Sequence, residues 1–441
     1  MSTNKGWLKE RTSNSLAEVY GSISVPQHSG VWKKLFAFAG PGLMVAVGYM
    51  DPGNWATDIA GGARFGYTLL SVILISNIFA MFLQHLAVKL GIASGRDLAQ
   101  ACRDSYSAPV NFILWILCEI AIAACDLAEV IGSALALNLL FGIPMFYGVL
   151  ITVIDVLLIL FLTNKGFRIL EVIVATLILT ILCCFVYEMF IAAPDTGKIL
   201  TGLVPSTQIL INPEMLYISI GILGATVMPH NLYLHSSIVQ TRAFQKTEVG
   251  IKEAIKFATI DSSLSLFIAF FINASILILA AASFHRSGME HVGTIEEAYK
   301  LLNPVLGVKF AAVFFGIALL ASGQNSTVTG TLAGQIVMEG FLDIRLKPWQ
   351  RRLITRLIAI IPALIVTYIS GENGVTDLLV LSQVILSLQL SFAVIPLVSF
   401  TSNQTKMGTF VNKKWLILTS WTIAVIIVSL NIYLLYQTLF G

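Results

Sequence analysis

Hydrophobic and polar positions alternate along this chain in long blocks rather than residue by residue. Residues 68–83, TLLSVILISNIFAMFL, carry no charge at all. Comparable apolar runs recur near 37–63, 112–124, 146–162, 169–187, 216–234, 257–283, 308–338, 353–370, 378–400 and 415–438, eleven in all. A helix crossing a bilayer needs roughly twenty mostly apolar residues, and each run reaches that length with its flanks. The pattern predicts an all-α polytopic membrane protein of eleven spans, with short loops and no long linker. Composition agrees: 56% of the 441 residues are hydrophobic, 12% are charged and the mean hydropathy is +0.84, whereas soluble domains carry about 25% charge. The first 36 residues are a polar tail. No apolar segment precedes the first span, so the tail does not read as a signal peptide.

Charge sets the expected orientation. Of the 27 Lys and Arg residues, 22 fall on the tail and the even-numbered connections, leaving Arg64, Lys198, Arg286, Lys300 and Lys309 on the other side. Basic residues stay on the cytoplasmic side. The N-terminus is therefore expected in the cytoplasm and the C-terminus outside, in a multi-pass protein of the cell membrane. The net charge of +3 identifies no partner, and nothing suggests nucleic acid. Cys102, Cys118, Cys125, Cys183 and Cys184 form no CxxC pair. They read as small buried residues rather than a disulfide framework or a zinc site.

Two runs break the apolar pattern at a proline flanked by polar or metal-ligating groups. The first span contains GYMDPGNWATD (48–58) and the sixth GILGATVMPHNLYLHS (221–236). Five spans separate one break from the next, and paired interruptions mark an inverted-repeat transporter. The expected division is a tail (1–36), a core (37–402) with repeats near 37–190 and 215–402, and an additional eleventh helix (415–438). Proline has no N–H, so Pro52 frees the carbonyl of Gly48 and Pro229 frees that of Ala225. The residue before each proline, Asp51 or Met228, is pushed out of the α region. Asp51, Asn54, Met228 and the Ala225 carbonyl can then face one cavity. An intramembrane carboxylate is costly and functional by default. The three oxygens suit a hard cation, and the thioether shifts preference toward transition metals. A lone Met in an apolar helix is more often core filler.

These residues resemble the Nramp family of proton-coupled divalent metal transporters. DPGN and MPH look like its two signatures. EIAIAACDLAEVIGSALAL in span 3, ASGQNSTVTGTLAGQIVMEGF at 321–341, RRLITR in span 9 and LLVLSQVILSLQLSFAVIPL in span 10 follow in the family's order. The resemblance runs from about residue 36 to 402. It implies a LeuT-like fold of 5+5 helices, with helices 1 and 6 broken at mid-membrane. It also implies uptake of Mn²⁺ or Fe²⁺, with Cd²⁺ and Co²⁺ as further ions, in symport with protons. Carried over, Asp51, Asn54, Met228 and the Ala225 carbonyl are metal ligands, and Gln383 matches the glutamine of the occluded site. No resident cofactor is expected, only the transported ion, and the chain is expected to be monomeric.

The other intramembrane ionisable residues suggest a proton route. Glu119, Asp126 and Glu129 share one face of span 3 by spacing, and Arg351, Arg352 and Arg356 open span 9. Arg351 and Arg352 also suit positive-inside anchoring. Arg356 lies one turn deeper, where buried pairing with the acids is expected. The resemblance implies a path from Asp51 and His230 through the span 3 acids to span 9. His235 lies five residues beyond His230 and could sit lower in the same path, whereas His85 reads as structural. A sodium-coupled amino-acid symporter of the same fold is the alternative, but a carboxylate substrate wants free N–H groups rather than Asp51 beside Met228. A membrane metalloenzyme would need HExxH or clustered histidines, and a receptor would not explain two paired breaks.

Overall fold

The computed structural model describes residues 6–9, 15–26, 29–152, 154, 166–308 and 310–440, except for the side chains at 348, 349, 351, 352, 366–373 and 438. The helices that frame the two interruptions and their surroundings, numbered in chain order, are α1 (Val31–Phe38), α2 (Pro41–Val47), α3 (Pro52–Phe65), α4 (Leu70–Ser94), α5 (Leu98–Ser105), α6 (Ala108–Phe141), α7 (Phe167–Ala192), α8 (Pro213–Thr226), α9 (Pro229–Ile238), α10 (Glu248–Ser283), α11 (Ala311–Leu342), α12 (Pro348–Thr401) and α13 (Lys414–Phe440). Strands β1 (Ile23–Ser24) and β2 (Arg242–Ala243) pair in parallel.

Among the described residues, eight helical segments are long and apolar enough to cross a membrane, or nine if the bent pair Val31–Phe38 and Pro41–Met50 forms one span. This multi-pass architecture carries the expected all-α class. The count falls short of the eleven runs for identifiable reasons. The run at 146–162 lies largely outside the described residues. The runs at 353–370 and 378–400 were expected as separate spans, yet α12 is helical without interruption over 54 residues. At about 1.5 Å per residue such a helix far exceeds one bilayer crossing. Two apolar segments, Leu353–Ile365 and Gly374–Thr401, remain distinguishable within it.

Hydroxyl groups inside the apolar helices bond back to their own helix: Thr327 Oγ1 donates to the Gly323 carbonyl and Thr331 Oγ1 to the Thr327 carbonyl. That satisfies a buried polar group without a neighbouring helix. Where two helices must touch closely, glycine removes the obstacle. A Cβ on Gly224 would lie 2.2 Å from the Gln383 carbonyl oxygen and 2.6 Å from the Ser387 amide nitrogen. Only glycine lets α8 approach α12 at this level, and that approach brings Gln383 toward the broken helices. Trp55, fully buried, fixes the start of α3: its ring meets Phe185 of α7 at 5.1 Å and Phe315 of α11 at 5.0 Å between centroids.

Candidate metal centre

The chain leaves α2 through a tight turn at Gly48–Met50, and Asp51 is extended (φ −68°, ψ 163°) before Pro52 begins α3. Proline suits the first helical position because its missing N–H would have no partner there. Asp51 is the N-cap, and its Oδ1 accepts the Asn54 backbone N–H at 2.9 Å. Its other oxygen, Oδ2, is buried with no hydrogen-bond partner. Asn54 divides its amide similarly. Nδ2 donates to the Tyr49 carbonyl, whereas Oδ1 is buried without a partner. The Met50 carbonyl accepts from Trp55 Nε1 at 3.2 Å and from the Ser322 hydroxyl. The carbonyls caught by side chains at this turn are thus those of Tyr49 and Met50, beside the Gly48 carbonyl singled out from the proline rule.

The second interruption lies between α8 and α9. Val227 (φ −105°, ψ 63°) and Met228 (φ −59°, ψ 124°) are non-helical, and Pro229 opens α9. Pro229 has no N–H to offer the Ala225 carbonyl. Met228 is fully buried and clusters with Ala121, Cys125 and Leu386. Its Sδ lies 3.0 Å from where a Cβ on Gly48 would stand, so the two interruptions meet. Asn231 ties them further, its Nδ2 donating to the Val45 carbonyl at 3.4 Å. Gln383 of α12, also fully buried, lies beside Asp51. Its Nε2 donates to Ser382 Oγ at 3.0 Å, and its Oε1 has no partner.

Three oxygens, Asp51 Oδ2, Asn54 Oδ1 and Gln383 Oε1, are therefore buried without a hydrogen-bond partner at or beside the first interruption, which meets the second at Met228. Each such group costs about 1–3 kcal/mol when left unsatisfied. One cation would satisfy all three. Among the described residues no group of three or more His, Cys, Asp or Glu could hold a metal. The donors available here are one carboxylate, two neutral amide oxygens and sulfur, which suits a borderline-soft divalent ion that must also leave.

The expected proton-route residues separate into groups. Asp126 and Glu129 of α6 are fully buried. Asp126 lies within electrostatic reach of His230, and Glu129 accepts from Arg356 Nη1 at 3.4 Å. Arg356 Nη2 also donates to the Thr152 carbonyl at 3.4 Å, and the Cys125 thiol reaches Glu129 at 3.7 Å. Glu119 departs from the expectation of three acids alike: it is partly exposed and accepts from Trp115 Nε1 at 2.9 Å. Spacing fixes a helix face but not depth along it. The Arg351 and Arg352 side chains lie outside the described residues. His235 Nδ1 meets Gln84 Oε1 at 2.9 Å, and Gln84 Nε2 donates to the Tyr49 hydroxyl at 3.2 Å, which joins His235 to the first break. His85 meets Thr259 Oγ1 at 2.9 Å.

Sequence reasoning passed over two buried carboxylates. Asp58 lies seven residues after Asp51 on α3, and its Oδ2 has no partner. Glu188 of α7 is fully buried, and neither of its oxygens has a hydrogen bond. Applying the cost of an intramembrane carboxylate to every acid in the apolar runs and their flanks would have found both. Also unforeseen is the closure where the chain runs into α2. Arg242 Nη1 pairs with Glu171 at 2.6 Å, and its other nitrogens donate to the carbonyls of Ala37 (3.2 Å) and Ala39 (2.7 Å). Asp261 accepts the N–H groups of Gly40 and Gly42 at 3.3 and 2.7 Å.

The sequence profile described as "Natural resistance-associated macrophage protein-like" matches residues 42–437. The chain belongs to the Nramp family. A Nramp relative from Listeria monocytogenes serotype 4a, named divalent metal cation transporter MntH, is 63% identical over 437 residues, 99% of this chain and 98% of its own. The crystal structure of the Eremococcus coleocola manganese transporter, in complex with an aromatic bis-isothiourea substituted compound, superposes with a TM-score of 0.88. It shares 42% identity over 95% of this chain and 90% of that one. MhsT in complex with L-phenylalanine, at 15% identity and a TM-score of 0.60 over 90% of this chain and 97% of that one, shares the fold alone. The LeuT-like class expected of an Nramp protein therefore holds.

Proposed function

We propose that this protein imports divalent transition metal ions, Mn²⁺ foremost, in symport with protons by alternating access. The observation that supports the reading is the set of three buried oxygens without partners, those of Asp51, Asn54 and Gln383, at the interruption that Met228 of the second broken helix also reaches. In this reading Asp51, Asn54, Gln383, Met228 and the Ala225 carbonyl hold the ion. The carboxylate supplies charge, the amides and the carbonyl supply neutral oxygens, and the thioether disfavours Ca²⁺ and Mg²⁺ relative to Mn²⁺, Fe²⁺, Co²⁺ and Cd²⁺. Holding the ion requires an ionised Asp51, so metal binding releases any proton there. His230 and Asp126 stand next on the way to Glu129 and Arg356, giving that proton a route apart from the metal. Glu119 extends the route toward the surface, Arg352 is assigned to it from the sequence alone, and His235 joins the first break through Gln84. The N-terminus lies in the cytoplasm, the C-terminus outside, and the working unit is the monomer.

The test is Mn²⁺ uptake into proteoliposomes with and without an inward proton gradient, paired with calorimetric binding to the Asp51→Ala variant. Uptake should rise with the gradient, and Asp51→Ala should abolish both binding and uptake. Intact Mn²⁺ affinity in that variant would overturn the site. Uptake indifferent to the gradient would overturn proton symport.

A further inference from the structure

The first residues of a membrane protein are commonly loose unless something ties them down. Here residues 6–9 and 15–25 are tied at successive points across the face where the chain runs into α2. Trp7 is 6% exposed. Its ring meets Phe400 at 5.9 Å, with the Arg96 guanidinium 4.6 Å and Lys406 Nζ 4.5 Å from its centroid. Cations over an indole face are favourable, more so when desolvated. The N–H groups of Leu8 and Lys9 donate to the Asp104 carbonyl of α5 at 2.8 and 3.3 Å. Leu16 is 2% exposed, and its N–H donates to Glu339 of α11 at 3.0 Å. Gln335 of α11 donates to Glu18 at 3.2 Å. Gly21 N–H then reaches the Gln240 carbonyl at 3.0 Å, and Ile23 and Ser24 pair with Arg242 and Ala243 just beyond α9.

We propose that this segment is a strap that holds the N-terminal face closed and must release one of its ends for that face to open. The proposal rests on the alternating-access reading above. One end of the strap pairs with Arg242, the residue that clamps Glu171 and the carbonyls ahead of α2. The other end is anchored on α5, α11 and the end of α12. An ion can leave through this face only if the ends of α2 and α9 part from those of α11 and α12. Between Leu16 on α11 and Gly21 beside α9 lie four residues, three of them coiled in a single turn at Ala17–Val19. Once that turn has unwound, further separation must break the Leu16 and Gly21 hydrogen bonds or the β1–β2 pair. The two-residue strand pair is the weaker end, because the other end buries an indole, a leucine and two cation contacts. Release at β1 also frees Arg242 from one partner, which couples the strap to the clamp.

Two experiments decide the matter. Ser24 and Ala243 are register partners, and paired strands lie about 4.8 Å apart, within reach of a disulfide. In a Cys183→Ala background, which removes the exposed native thiol, Ser24→Cys with Ala243→Cys is oxidised and Mn²⁺ uptake is measured before and after reduction. The cross-linked protein should lose uptake and regain it with reductant. Full uptake by the cross-linked form would overturn the strap, and failure to cross-link would overturn the pairing on which it depends. The second experiment follows hydrogen exchange in residues 41–47 of Trp7→Ala. Loosening one anchor should speed exchange there about tenfold while α4 and α10 stay protected, and unchanged exchange would count against the strap. A wild type that moves no Mn²⁺ under a proton gradient would overturn the transport reading instead, and the exchange arm would still decide the strap.

Discussion

Gly53→Ala tests the contribution of Gln383 by displacing its amide without replacing the residue. A Cβ at residue 53 would stand 1.7 Å from Gln383 Nε2 and 2.3 Å from its Cδ, where real Cβ contacts stay above 3.0 Å. The amide must therefore retreat by more than an ångström. It is the far end of a flexible side chain, so the backbone need not move. Overpacking costs roughly 1–3 kcal/mol where neighbours are rigid, and the better helix propensity of alanine returns up to about 1 kcal/mol. The melting temperature should consequently change little. Mn²⁺ affinity should fall about tenfold, or roughly 1.4 kcal/mol, as water replaces one neutral oxygen. Isothermal titration on wild type, Gly53→Ala, Gln383→Ala and the double variant forms a cycle. If both substitutions act through the same oxygen, the double variant binds no worse than the weaker single one. Wild-type affinity in Gly53→Ala, or full additivity in the cycle, would refute the placement of Gln383 in the shell.

Met228→Ala should reduce Cd²⁺ uptake more than Mn²⁺ uptake and let Ca²⁺ compete, read as inhibition of Mn²⁺ uptake by external Ca²⁺. Because Met228 is fully buried against Ala121, Cys125 and Leu386, the same change should cost about 2–5 kcal/mol of stability, to be checked by thermal unfolding in detergent. Pro229→Ala supplies an N–H that can recapture the Ala225 carbonyl and continue the helix, so uptake should fall sharply, whereas Ala225→Ser keeps the carbonyl and should keep most uptake. Asp126→Asn should abolish metal-driven proton movement, followed with an internal pH dye, while Mn²⁺ uptake persists. Equal proton flux in mutant and wild type would remove Asp126 from the route.

What was legible in the sequence follows from local chemistry. Asp51 and Pro52 announce an interruption because a carboxylate and a missing N–H are both costly in lipid, whatever surrounds them. Met228 and Pro229 do so for the same reason. The contacts that turn these interruptions into a site were not legible, because they join residues far apart in the chain. Asn231 reaches Val45, Ser322 reaches the Met50 carbonyl, and Met228 lies against Gly48. Cys125 read as a small packing residue. It does pack, but on Met228, and its thiol reaches Glu129. Glu119 shows the limit of periodicity, which assigns a face and leaves depth open. The runs at 353–370 and 378–400 read as separate spans, yet one helix runs through both and through Pro362. Intrinsic propensity is a weak guide against tertiary context.

The first break and the proposed binding site are built from the same side chains. Asp51 uses Oδ1 to cap α3, which restrains its carboxylate and leaves Oδ2 open. Asn54 uses Nδ2 to hold the Tyr49 carbonyl, which turns its Oδ1 outward from that bond. Each side chain thus stabilises the interruption with one polar atom and presents the other to a ligand. A cap contributes about 1 kcal/mol, while each buried oxygen without a partner costs about 1–3 kcal/mol, so the arrangement is costly in proportion to the oxygens it leaves without a donor. In the proposed function a bound cation would offset that cost. In that reading Asp51 ties the two effects to one residue: ionised, it caps the helix and would attract the ion, and protonated, it would lose its claim on the metal. In the proposed function, proton and metal therefore compete for the same carboxylate whose Oδ1 caps α3.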